Sequence, residues 1–132
     1  MVRAIDTNVF VYALDATSEF TPFARALLLS ITSGKHAGIA STVAITEVMR
    51  KAPPLVLEAM QATNNLSFAP VSTEIALKAA DIYAKFKLDE YDELHIATAL
   101  VLGADEFWTN DEKLLKRNIP GLKMCALTSF KA

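Results

Sequence analysis

Residues 2–15 read VRAIDTNVFVYALD. Val2 to Ile5 is a short run of the kind a buried strand uses, Asp6 ends it, and apolar residues recur at helical spacing from Val9 to Leu14. An acid set directly between a strand and a helix has two explanations. Its side-chain oxygen can cap the helix, or the strand can deliver it to a ligand site. The second requires a parallel sheet, because in open parallel sheets ligands gather beyond the carboxyl ends of the strands.

Outward from that stretch, the same theme repeats. Ala37 to Ser41, Leu66 to Val71, Glu106 to Trp108 and Leu122 to Leu127 read as further short strands. Between them lie helical patterns over Pro22 to Thr32, Val43 to Lys51, Pro54 to Ala62, Thr73 to Phe86 and Glu90 to Leu102. Pro22 suits a first helical turn, where its missing N–H costs nothing, and Gly34 and Gly103 are natural helix stops. Ala52-Pro53-Pro54 and Asn118-Ile119-Pro120-Gly121 read as short loops. Strands alternating with helices imply a parallel sheet covered on both faces, since a parallel crossover is usually a helix. The expected class is α/β, three layers deep, with a central parallel sheet of four to five strands. Trp108 reads as strand core and Cys125 as a buried small residue.

The bulk properties fit this picture. A chain of 132 residues, 52% hydrophobic, is one domain's worth and can bury a core unaided, so a single domain over 1–132 is expected. One cysteine offers no internal disulfide, and the first residues lack a secretory pattern, so a cytoplasmic location is expected. The apolar run from Leu94 to Ala104 is too short to cross a bilayer, which needs about 20 residues, so no membrane is expected as a partner. A formal charge of −2 leaves any nucleic-acid contact to local cation clusters.

Four carboxylates fall where such a sheet would expose them. Asp6 follows the first strand, and Asp111 follows the fourth after Thr109 and Asn110. Glu47 lies in the helix leaving the second strand, and Asp92 in the first turn of the helix before the fourth. Taken singly, Asp6, Asp92 and Asp111 also suit helix starts, and Glu47 a solvated helix face. Together they can meet at one rim. Two ionised carboxylates about 4 Å apart repel by roughly 4 kcal/mol at an effective dielectric near 20, and a cation relieves this. Oxygen donors without Cys or clustered His match Mg²⁺ or Mn²⁺ rather than zinc, with one or two ions. Such ions serve phosphodiester hydrolysis.

DTN at 6–8, Ser41 six positions before Glu47, Asp92 heading DELHIATAL, the Gly103-Ala104 pair and TND at 109–111 together resemble the PIN-domain nuclease pattern. A chain of this length is most similar to the VapC-type toxin ribonucleases of toxin–antitoxin pairs. The resemblance implies a metal-dependent endoribonuclease whose acidic quartet maps onto Asp6, Glu47, Asp92 and Asp111. It also implies that Thr7, Asn8, Thr109 and Asn110 orient those acids or a water. Glu93 stands where the pattern usually has a small residue; it either adds a fifth carboxylate or faces water beside Asp89. His95, one turn from Asp92, can pair with that acid, accept a proton or fill a half-buried space.

RNA must be gripped through its phosphates, and Arg50, Lys51, Lys113, Lys116 and Arg117 follow the acids closely enough to do so or simply to form solvated helix faces. The resemblance further suggests a homodimer and an antitoxin covering the cleft, with Tyr12, Phe20, Phe23 and Leu27 to Leu29 as partner surface or as core. Two other classes compete. A PIN-like module can act as a scaffold without turnover. A phosphatase using Asp6 as nucleophile, similar to the haloacid-dehalogenase family, would want an acid where Asn8 stands.

Overall fold

The computed structural model describes residues 1–52 and 54–132. In it the opening strand β1 (Val2–Ile5) lies at the centre of a five-stranded, wholly parallel sheet. Helices α1 (Thr7–Leu14) and α2 (Thr21–Thr32) lead to β2 (Ala37–Ser41), and α3 (Val43–Lys51) and α4 (Pro54–Gln61) lead to β3 (Leu66–Ala69). Then α5 (Thr73–Phe86) and α6 (Glu90–Val101) precede β4 (Glu106–Thr109), and α7 (Glu112–Leu115) precedes β5 (Lys123–Ala126), which runs into a 3₁₀ turn at Leu127–Ser129. The strand order is β3-β2-β1-β4-β5.

Alternation along each strand sorts side chains to two faces. Ile5, Trp108 and Cys125 pack with Phe10, Leu27 and Ile31 on one side, while Ala4 and Phe107 pack with Ile75, Ile82 and Ile96 on the other. These two cores give the expected three layers, and Trp108 and Cys125 are buried as expected. Gly38 lets α2 close on β2: a Cβ there would lie 2.8 Å from Ile31 Cδ1 and 3.0 Å from Leu66 Cδ1. The polypeptide leaves α6 through Gly103 at φ +72°, the left-handed turn that glycine favours.

Several boundaries differ from expectation for local reasons. Helix α1 begins at Thr7 rather than Val9, because Asp6 itself caps it through Thr7 N at 2.8 Å. Strand β3 stops at Ala69, short of Val71, because Pro70 has no N–H to donate. The last strand ends at Ala126, and Leu127 turns away instead of extending it. Helix α7 is unanticipated, being only four residues long and too short for periodicity to register. Of the expected loop at 52–54, Pro53 lies outside the described residues. Among the described residues no helix is long and apolar enough to cross a membrane.

Candidate active site

From β1 the chain builds one half of the sheet through β2 and β3, and from β4 it builds the other through β5. The reversal leaves a crevice beyond the carboxyl ends of β1 and β4, which is where ligands bind in doubly wound sheets. Asp6 stands at its floor. Its N–H donates to Trp108 O at 3.1 Å, which locks it to β4. Its side chain is 7% exposed: Oδ1 accepts from Thr7 N, and Oδ2 accepts from Thr109 Oγ1 at 2.7 Å and Asn8 Nδ2 at 3.4 Å. Asp6 therefore caps α1, and it does so at the carboxyl end of β1, beside β4.

Helix α3 brings Glu47 to the same place. Thr7 Oγ1 donates to Glu47 Oε1 at 2.7 Å, and His95 Nε2 from α6 lies 2.5 Å from that oxygen, 3.1 Å from Thr7 Oγ1 and 3.8 Å from Asp6 Oδ1. A carboxylate only accepts, so His95 Nε2 carries the proton of this bond. His95 is 3% exposed, and among the described residues its Nδ1 has no partner. It thus fills buried rather than half-buried space, and it pairs with Glu47 rather than with Asp92. Burial would push Glu47 up, but the hydrogen bonds from His95 and Thr7 outweigh it and hold the acid below its usual range. For His95, burial opposes the charged form, and Glu47, Asp6 and Asp92 overcome it to push the imidazole up.

The other two acids complete the rim. Thr109 Oγ1, which donates to Asp6, also accepts from Asp111 N at 3.0 Å, and Asp111 Oδ1 caps α7 through Lys113 N at 2.9 Å. Asp92, in the first turn of α6, is pushed up to about 7 by burial, then by the like charges of Asp6, Asp89 and Asp111. Asp6 is raised as well, by burial against the pull of His95 and its own hydrogen bonds. The amides tie the rim together: Asn8 Nδ2 reaches Thr109 Oγ1 at 3.3 Å, Asn8 Oδ1 accepts from Asn110 N at 3.2 Å, and Asn110 Nδ2 donates to Tyr12 OH at 3.3 Å.

Tyr12, expected as partner surface or as core, packs partly buried on the core and also reaches this rim through its hydroxyl. The rest of that surface divides: Leu27 is wholly buried, Phe20 and Phe23 pack partly buried on the core, and Leu29 is exposed. Glu93 does not face water. It is 8% exposed, its Oε1 has no partner among the described residues, and burial followed by Asp89 and Glu90 raises its carboxyl, so it belongs to the buried side of α6. Arg50, Lys51, Lys113, Lys116 and Arg117 are all exposed, with the Arg50 guanidinium 5.7 Å from the Tyr91 ring centre.

Whether these residues suit a metal rests on donor type and charge. All four acids offer hard oxygen donors, and burial, followed by the like charges of Asp6, Asp89 and Asp111, pushes Asp92 up. Among the described residues no three acids or histidines stand close enough to form a ready ion site. The donors thus fit a hard cation in kind, and the side chains must draw together to hold one.

A parallel α/β domain with a carboxylate-lined crevice at its switch point is the class that fold and site define. Within that class the chain belongs to the PIN domain family, which matches residues 4–119. The fold is similar to that of VapBC2 from Rickettsia felis bound to a DNA fragment from its promoter, with TM-score 0.74 and 16% identity over 96% of this chain and 98% of the other. It is also similar to a toxin–antitoxin complex from Klebsiella pneumoniae, with TM-score 0.68 and 22% identity over 91% and 94%. No curated protein matches the chain.

Proposed function

We propose that the protein is a Mg²⁺- or Mn²⁺-dependent endoribonuclease that hydrolyses RNA phosphodiester bonds. We also propose that it is a single-domain, VapC-type cytoplasmic toxin that pairs with an antitoxin and forms a homodimer. Family membership and fold likeness to proteins from toxin–antitoxin complexes support the general reading. The observation that carries it is that Thr109 Oγ1 bonds both the Asp6 carboxylate and the backbone N–H of Asp111, while Thr7 bonds Asp6 through its N–H and Glu47 through its hydroxyl, with Asp92 feeling the charge of Asp6 and Asp111.

In this reading Asp6, Glu47, Asp92 and Asp111 hold one or two ions. When bound, such an ion polarises a phosphoryl oxygen and acidifies water. The chain's own groups do the positioning. Thr109 and Asn8 fix Asp6 Oδ2, while Thr7 and His95 occupy Glu47 Oε1 and leave Oε2 without a hydrogen bond from either. Asn110 aligns the loop that carries Asp111. Arg50, Lys51, Lys113, Lys116 and Arg117 are the cations proposed to meet RNA phosphates.

The test is RNA cleavage by purified protein with Mn²⁺, beside Asp6→Asn. Asparagine keeps the helix cap but loses the charge, so cleavage is expected to fall by about a hundredfold or more with the far-UV spectrum unchanged. A wild-type protein that binds RNA or an antitoxin peptide yet never cuts with any divalent ion would instead be a binding module.

A further inference from the structure

Asp6 and Glu47 share an arrangement in which one carboxylate oxygen is filled by two donors. Asp6 Oδ2 accepts from Thr109 Oγ1 at 2.7 Å and Asn8 Nδ2 at 3.4 Å, and Glu47 Oε1 accepts from Thr7 Oγ1 at 2.7 Å and His95 Nε2 at 2.5 Å. Each carboxylate oxygen has about two lone-pair sites, so these two oxygens are saturated. Among the described residues Glu47 Oε2 accepts no hydrogen bond. Glu47 therefore has one oxygen to offer an ion rather than two.

His95 is the part of this arrangement that packing alone does not explain. Its ring is buried, and its Nδ1 has no partner among the described residues. A buried polar atom left unbonded costs stability that an apolar side chain of similar size would not. What the imidazole contributes is the Nε2–H, which donates to Glu47 whether the ring is neutral in that tautomer or charged. Thr7 holds the same oxygen from the floor of the crevice, where its own N–H is committed to Asp6 Oδ1 at 2.8 Å. Helices α1 and α6 thus clamp one oxygen of an acid carried on α3.

The number of oxygens a carboxylate can offer separates the hard divalent cations. Ca²⁺ takes about six to eight oxygens and readily uses both from one carboxylate, whereas Mg²⁺ requires a compact octahedron and keeps several waters. Resting on the ion site proposed above, we infer that Thr7 and His95 set its ion preference. By filling Glu47 Oε1 they deny Ca²⁺ a two-oxygen carboxylate and leave Oε2 for a small octahedral ion such as Mg²⁺ or Mn²⁺. His95 is a positioning residue in this role, since it acts through Glu47.

Titration calorimetry of the full chain with Mn²⁺ and with Ca²⁺ tests this without turnover. His95→Leu removes the donor at similar volume, and Thr7→Val removes the hydroxyl while keeping the N–H that bonds Asp6. Each should lower the ratio of Mn²⁺ to Ca²⁺ affinity about tenfold, the scale typical of groups that orient metal ligands. His95→Gln, whose Nε2 can donate, should restore most of that ratio. Comparing two ions on one variant cancels any change in folded fraction. A purely structural role would weaken both ions equally, and a purely electrostatic one would strengthen both equally. A ratio unchanged in either folded variant, or a glutamine that behaves as leucine does, overturns the inference and leaves the ion site standing. A wild-type protein that binds neither ion overturns the ion site and this inference with it.

Discussion

The two ends of the sheet treat buried charge in opposite ways. Toward the amino end, Arg3 of β1 stands directly opposite Glu106 of β4 in the parallel register, and the pair is 3.1 Å apart with side chains about a tenth exposed. Ser30, Trp108 and Phe130 complete its environment, and Trp108 Nε1 donates to the same Glu106 oxygen at 3.0 Å. Beyond the carboxyl end, Asp6, Glu47, Asp92 and Asp111 carry one sign, and His95 is the imidazole that partly offsets them. One end completes its electrostatics within the chain. The other leaves them incomplete, and that is where the proposed cation would change most.

The largest effect should come from breaking the completed pair. Arg3→Met keeps much of the packing but leaves Glu106 buried beside no cation, which should cost about 3 kcal/mol in denaturant unfolding. Adding Glu106→Gln removes the stranded charge while keeping an acceptor for Trp108 Nε1, so the double variant should recover at least half of that loss. If the double variant is as unstable as the single, Arg3 acts through packing and the contrast between the two ends fails.

A smaller effect, with a pH signature, should appear at the incomplete end. A carboxyl with a raised folded pKa keeps its proton when the unfolded chain has lost it, so stability is full below about pH 4 and declines as pH rises through about 7. Asp92→Asn removes that decline. In metal-free buffer at pH 7.5 the variant should be more stable than wild type by about 1 kcal/mol, because solvent screening of a half-exposed acid reduces the full linkage. Near pH 4 the two should coincide. Adding Mn²⁺ should then favour wild type, since a ligand that binds only the folded state stabilises it. Parallel pH profiles would remove the claim that Asp92 is crowded by like charge.

The layout was readable because it is written locally. Strand, acid and helix follow one another at Asp6, at Asp111 and around Glu47, and the parallel rule carries all three to one rim. What sequence could not supply depends on distant packing. His95 is one turn from Asp92, yet it bonds Glu47, 48 residues away, because α6 meets α3 across the crevice. Arg3 and Glu106 are 103 residues apart and meet only through strand register. Glu93 looked solvated beside Asp89, but α6 is covered on nearly all sides, as burial of Glu93, His95, Ile96, Ala97, Thr98 and Ala99 shows, so helical periodicity carried little directional information there.

The finest contrast concerns the hydroxyls that hold the acids. Thr109 is fully buried, and its Oγ1 donates to Asp6 Oδ2 while accepting from Asp111 N and Asn8 Nδ2. Thr109→Val preserves shape but removes all three bonds. Because Asp6 keeps Thr7 N, the expected loss of stability is only about 1 kcal/mol. The acids, however, lose the atom that sets their mutual orientation, and Mn²⁺ affinity measured by calorimetry should fall about tenfold, as is typical for groups that orient metal ligands. Thr98 offers the control: it is equally buried, but its Oγ1 bonds Leu94 O within α6 at 2.7 Å, so Thr98→Val should leave Mn²⁺ affinity unchanged. Equal losses in the two variants would mean that buried hydroxyls act on stability alone, and the carboxyl end would then differ from the amino end in charge but not in purpose.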